Sequence, residues 1–121
     1  MQHTASYLAE TASVSSARLW LRTLLDDRLS EEQALAAELC LSELAANAVR
    51  HARTEFDVEV SDGDGGVRIA VSDHNFRPVR ARFATPTDVT GRGLQIVEAV
   101  ASQWGVDQTA DGKTVWCTID S

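Results

Sequence analysis

Cysteine, proline and positive charge are all scarce in this chain of 121 residues, and each scarcity closes off a class of function. The only cysteines, Cys40 and Cys117, stand far apart in apolar runs without the close spacing of a metal site, and read as small core residues. Both prolines, Pro78 and Pro86, fall in the one stretch that lacks periodicity. Eleven Lys and Arg against eighteen Asp and Glu leave a net charge of −7. With no basic patch, direct binding to nucleic acid through phosphates is disfavoured, whereas an acidic surface suits a basic protein partner or simply aids solubility. No apolar run approaches the length of a membrane span. The start, MQHTASYLAE, has neither the basic region nor the apolar segment of a secretory leader, so a cytoplasmic protein without membrane contact is expected. The length fits a single domain over residues 1–121, able to bury about two thirds of its unfolded surface.

What the chain does contain is periodicity. Residues 13–29 read as a first helix, with Val14, Ala17, Leu21, Leu24 and Leu25 near one face and Ser13 or Ser15 at its cap. Ser30 opens S-E-E-Q, a capping-box signature with Gln33 three residues on, and predicts a second helix over about 31–53. From Glu55 the period becomes two. Phe56, Val58 and Val60 alternate with polar residues, DGDGG over 62–66 turns the chain, and Val67, Ile69 and Val71 return antiparallel, ending at Ser72-Asp73. From His74 to about Thr90 no period is visible, as in functional or mobile loops. A helix over 93–102 follows, then a hairpin of 106–109 and 113–119 about the turn Ala110-Asp111-Gly112. Residues 1–12 are weakly patterned and fit a frayed arm, an edge strand or a subunit contact. Helices grouped around a mainly antiparallel sheet predict an α+β, two-layer sandwich, with one face of the sheet covered by helices and the other partly wet.

The second helix carries the polar residues of most interest. Glu43 and Asn47 are four residues apart, which places them about 40° apart around a helix and about 6 Å along it. His51 follows one turn on, and Arg50 points to the same side. Around them Leu35, Leu39, Ala46 and Val49 take one side while Cys40, Leu44 and Ala48 take much of the other, which predicts a helix packed on most sides. Polar groups in such a place need partners, and a bound ligand can supply them. A Glu–Asn pair at this spacing is also, ordinarily, just a solvated pair. Trp20, Trp104 and Trp116 read as core or interface anchors, and Arg77, Arg80 and Arg82 as a solvated loop face.

Downstream pieces then follow in a fixed order. ELAANAVRHA (43–52) sets Glu, Asn and His at regular steps, Asp73 ends a central strand, GRGL (91–94) opens a helix, and DGKTVW (111–116) starts the final strand. In this order and at these intervals the chain resembles the GHKL-type ATP-binding domain of histidine kinases, gyrase and Hsp90, with its Bergerat-type fold, over nearly the whole sequence. Within that group it looks most like the small stand-alone serine/threonine kinases that act as anti-sigma factors. The resemblance implies ATP and Mg²⁺ as cofactors. On it, Asn47 supplies an oxygen to the metal, Glu43 accepts the proton of an attacking hydroxyl, and Arg92 neutralises charge on the transferred phosphoryl group. Asp73 accepts a hydrogen bond from the adenine amino group. Thr114 either holds that aspartate, or an intervening water, or is an ordinary strand threonine. Gly91 and Gly93 let backbone approach the phosphates, with Leu94 completing the motif at a helix N-terminus. His51 either contacts a phosphate or caps the helix end. The resemblance further implies phosphoryl transfer to a serine of an anti-sigma-factor antagonist, a sigma factor as second partner, and a homodimer through an exposed strand edge.

The departures matter as well. Where the family has D-x-G-x-G, this chain reads Asp73-His74-Asn75-Phe76-Arg77 without either glycine, so the floor of the base pocket is built differently, with His74 or Phe76 narrowing it. Pro78 stands where small relatives sometimes carry a proline, the lid from Asp73 to Gly91 is short, and Val89-Thr90 replace an arginine found in some relatives. These departures keep open a second reading, a non-catalytic module that retains the fold and grips a partner. A third reading, a detached histidine-kinase ATP domain acting on a separate carrier, fits less well without a dimerisation helix pair.

Overall fold

The computed structural model describes residues 2–25, 28–52, 54–63, 66–74, 92–109 and 112–120, with backbone alone at 51, 52, 63, 92–94 and 109. In chain order the elements are β1 (Gln2–Tyr7), α1 (Thr11–Leu25), α2 (Glu31–Asn47), a π-helical turn (Ala48–Ala52), β2 (Phe56–Gly63), β3 (Gly66–Asp73), α3 (Arg92–Val100), β4 (Gln103–Thr109) and β5 (Gly112–Asp120). The strands make one five-stranded sheet in the order β1-β2-β3-β5-β4, every pairing antiparallel. The expected α+β architecture is therefore present, with the C-terminal strand inside the sheet.

Alternation along the strands decides which face the helices cover. Phe56, Val58 and Val60 of β2, Ile69 and Val71 of β3, and Val115, Cys117 and Ile119 of β5 are buried against Leu21 and Leu25 of α1, Leu41 and Leu44 of α2 and Val97 of α3. Each such side chain removed from water contributes about 1.5–3 kcal/mol. The opposite face is polar. Ser6 donates a hydrogen bond to Asp57 at 2.6 Å, the Arg68 guanidinium lies 5.4 Å from the centroid of the Trp116 ring, and the hydroxyls of Ser72 and Thr114 meet at 2.8 Å.

The capping box at Ser30 forms as the sequence predicts: the Gln33 N–H donates to the Ser30 hydroxyl at 3.1 Å and the Ser30 N–H donates to the Gln33 side chain at 2.9 Å. Other boundaries move. α1 starts at Thr11 and ends at Leu25, because a turn at Leu8–Glu10 swings the chain into the helix early, the Ser13 N–H donating to the Glu10 carbonyl at 3.0 Å. Ser13 is thus a buried residue of the first turn and not its cap. Residues 2–7, open to several readings in sequence, form an edge strand paired with β2. α2 is not packed on most sides. It leans on α1, α3, β3 and β5, but Leu35 and Leu39 face outward with 60% and 41% of their surface exposed. Glu38 turns inward instead, held by Arg22 of α1 through contacts of 2.6 and 3.3 Å. Among the described residues no helix is long and apolar enough to cross a membrane.

Candidate functional site

The buried stripe of α2 runs through Ala37, Cys40, Leu41, Leu44 and Ala45, and the same face carries Asn47 into the interior. Asn47 is 3% exposed, and neither its Oδ1 nor its Nδ2 has a hydrogen-bond partner among the described residues. A buried amide group left unpaired costs about 1–3 kcal/mol, and native proteins seldom keep one without a reason. Its Oδ1 is a hard oxygen donor of the type Mg²⁺ takes when it holds phosphates and keeps most of its waters. Glu43, one helical turn earlier, is half-buried. Directly after Asn47 the helix widens into the π turn Ala48–Ala52, which packs on β3. Single π turns of this kind gather at functional sites. His51 lies within that turn, and its side chain is outside the described residues.

The far end of β3 supplies Asp73. Val67, Ile69, Val71 and Asp73 alternate onto the covered face of the sheet, and Asp73 is 5% exposed. Its Oδ1 accepts the backbone N–H of Lys113 at 3.2 Å, and its Oδ2 lies 3.0 Å from the Lys113 ammonium. β2 and the residues just before it fix the next residue: the His74 N–H donates to the Thr54 hydroxyl at 3.1 Å and the His74 ring meets Asp57 of β2 at 3.2 Å. His74, one of the two residues the sequence offered for narrowing the base pocket, thus has its ring engaged by Asp57, and the other, Phe76, lies outside the described residues. Arg92, Gly93 and Leu94 begin α3, which packs against α2. Their side chains, like Gly91 as a whole, lie outside the described residues.

Of the readings the sequence left open for Thr114, the ordinary strand threonine matches its place in the sheet. The register pairs Ser72 with Thr114 on the open face of the sheet, where their hydroxyls bond each other. Lys113, one residue earlier, has the parity of Val115, Cys117 and Ile119 and so stands beside Asp73. Gly112 was also missed. It has a φ of +152°, and a Cβ there would run into the Asp73 carbonyl. The signal was the tripeptide Gly112-Lys113-Thr114 itself, whose reading depends on register and not on residue type. Thr114→Val is expected to change nucleotide affinity less than about twofold, because the hydroxyl points away from the helices; titration calorimetry checks this.

Residues 7–119 match the histidine kinase-like ATPase domain family. The chain belongs to that family. This ATPase domain is also similar to the histidine kinase domain of a blue-light activated histidine kinase from Erythrobacter litoralis, with a TM-score of 0.52 and 19% identity over 91% of this chain and 60% of that one. At that identity the likeness speaks for the fold alone. A stretch of 55 residues is 40% identical to an uncharacterised protein of Streptomyces coelicolor, covering 44% of this chain and 52% of that protein. The ATPase domain thus spans little more than half the length of the relatives it matches.

The two cysteines of the domain are core residues, as the sequence suggested. Both are fully buried, and a hydrogen bond with Cys40 together with burial pushes the Cys117 thiol well above the ordinary thiol range. The same hydrogen bond draws the Cys40 thiol downward, but a thiol shut away from solvent cannot meet a dissolved electrophile. Neither cysteine should react with iodoacetamide in the folded domain at pH 8, both reacting once denaturant unfolds it; mass spectrometry of timed samples checks this.

Proposed function

We propose that this domain binds ATP with Mg²⁺ and transfers the γ-phosphoryl group to a serine or threonine hydroxyl of another protein, as do the stand-alone anti-sigma-factor kinases it resembles. The observation that carries the reading is the amide of Asn47, buried on α2 with no partner among the described residues and one turn beyond Glu43. Family membership supplies ATP as the ligand. Asn47 would hold Mg²⁺ through Oδ1, and the ion would neutralise charge on the phosphates. Asp73 would accept a hydrogen bond from the amino group of the base. In the transfer, the bond from the γ-phosphorus to the bridging oxygen of ADP breaks and a bond to the hydroxyl oxygen forms. The hydroxyl proton passes to Glu43. Arg92, at the start of α3, would meet the charge on the moving group. The substrate would be an anti-sigma-factor antagonist, the second partner a sigma factor, and the setting the cytoplasm. The test is labelled ATP incubated with the domain and candidate antagonists. Transfer that Glu43→Gln removes while ATP binding persists supports the kinase; ATP binding with no transfer to any antagonist counts against it.

A second reading, a partner-gripping module without chemistry, has its own support. The sequence after Asp73 lacks both family glycines, and the Lys113 ammonium already sits on Asp73. Absence of any saturable ATP binding would favour it.

A further inference from the structure

We infer that Lys113 reads the purine base directly, donating a hydrogen bond to ring nitrogen N1 while the Asp73 carboxylate accepts from the neighbouring exocyclic amino group. The inference rests on the nucleotide reading of the site and adds a specificity-determining residue to it. Its basis is the ion pair at the joined ends of β3 and β5. The ammonium lies 3.0 Å from Asp73 Oδ2, with side-chain exposures of 13% for Lys113 and 3% for Asp73. Stability does not account for the pair. A largely covered lysine and a buried carboxylate lose hydration that their attraction only roughly repays, and an apolar pair in the same space often serves the fold as well. The sheet places both groups on its helix-covered face, since Asp73 follows the parity of Ile69 and Val71, and Lys113 that of Val115 and Cys117. α2, which carries Asn47, packs on these same strands.

An acceptor and a donor side by side match one kind of ring edge. Adenine presents an amino donor next to a bare ring nitrogen, so the carboxylate takes the first and the ammonium the second. An ammonium has three hydrogens and each carboxylate oxygen two lone pairs, so the ion pair and the base contacts are compatible. Guanine or hypoxanthine in the same pose sets a carbonyl against the carboxylate and an N–H against the ammonium, and both contacts become repulsive. Lys113 therefore selects for adenine twice over, by pairing with N1 and by orienting the carboxylate through Oδ2.

The experiment compares ATP with 1-deaza-ATP, in which N1 is replaced by a carbon, by calorimetric titration of the whole chain with Mg²⁺ present. Wild type should bind ATP about ten- to a hundredfold more tightly than the analogue, the range expected for one hydrogen bond from a charged donor. Lys113→Met should lose that preference, while Lys113→Arg keeps part of it. A merely structural lysine would weaken both ligands alike when replaced. Equal wild-type affinity for the two ligands overturns the inference and leaves the nucleotide site intact. A wild type that binds neither overturns the nucleotide reading as well. A preference that persists undiminished in Lys113→Met, or in Lys113→Arg should the methionine variant not fold, overturns the inference as well.

Discussion

Replacing Asn47 by leucine is expected to stabilise the nucleotide-free domain while cutting its affinity for Mg·ATP on the order of a hundredfold. The two effects share one cause. The Asn47 side chain is buried, with both polar atoms unpaired among the described residues. An apolar side chain of similar shape removes that burden, worth about 1–3 kcal/mol, and fits the stripe formed by Leu44 and Ala48. For a domain of this length each kcal/mol moves the thermal midpoint by about 3–6 °C. The same replacement deletes the oxygen proposed for the metal. Thermal scans with and without Mg·ATP measure both: a higher midpoint without ligand, and no further rise with it. A variant that is destabilised, or that still gains the wild-type shift from Mg·ATP, would sink the assignment. Trading stability for a preformed polar site is common in proteins.

Gly112→Ala should be the most damaging small substitution. The backbone there has a φ of +152°, a region open chiefly to glycine. A methyl group would strike the Asp73 carbonyl and lie 2.9 Å from Asp73 Oδ1. The obstacle is main chain and cannot swing aside, so β5 must separate from β3 where they grip Asp73. Strain of about 1–3 kcal/mol follows, with a fall in the thermal midpoint of several degrees and loss of detectable nucleotide binding. Circular dichroism against temperature and calorimetric titration read the two effects. A destabilised variant that binds ATP normally below its midpoint would show that Asp73 plays no part in holding the base.

The elements that could be read from sequence are those whose periodicity is set by burial on one side. β2 and β3 alternate cleanly because Phe56, Val58, Val60, Ile69 and Val71 face the helices. α2 announces itself through the Ser30–Gln33 box. β1 was not legible, since QHTASY offers a sheet edge no apolar alternation. β4 begins at Gln103, ahead of the expected residue 106, because Gly105 breaks the pattern; it lies against Trp116, whose ring stands 2.7 Å from where a Cβ would be. In the candidate site, the places of Glu43, Asn47 and Asp73 on their elements could be read from sequence because each is set by the local periodicity of one helix or strand. Lys113 could not be so placed. Whether it or Thr114 faces Asp73 depends on the pairing of β5 with β3, which are joined by some forty residues of intervening chain, and residue type alone favoured the hydroxyl. The inward turn of Glu38 likewise depends on Arg22, a residue of another helix.

The position of β5 has a consequence for how the chain comes together. Made after β3 and β4, it must slot between them. Until it does, β3 has an open flank, and the glycine and lysine that steady Asp73 are not yet in place. Contacts between distant parts of a chain form slowly, so the end of the sheet that holds Asp73 should take shape after the β2–β3 hairpin. If nucleotide binds there as proposed, it would find its place only once β5 is seated, and by mass action would favour that form over one in which β5 is still free.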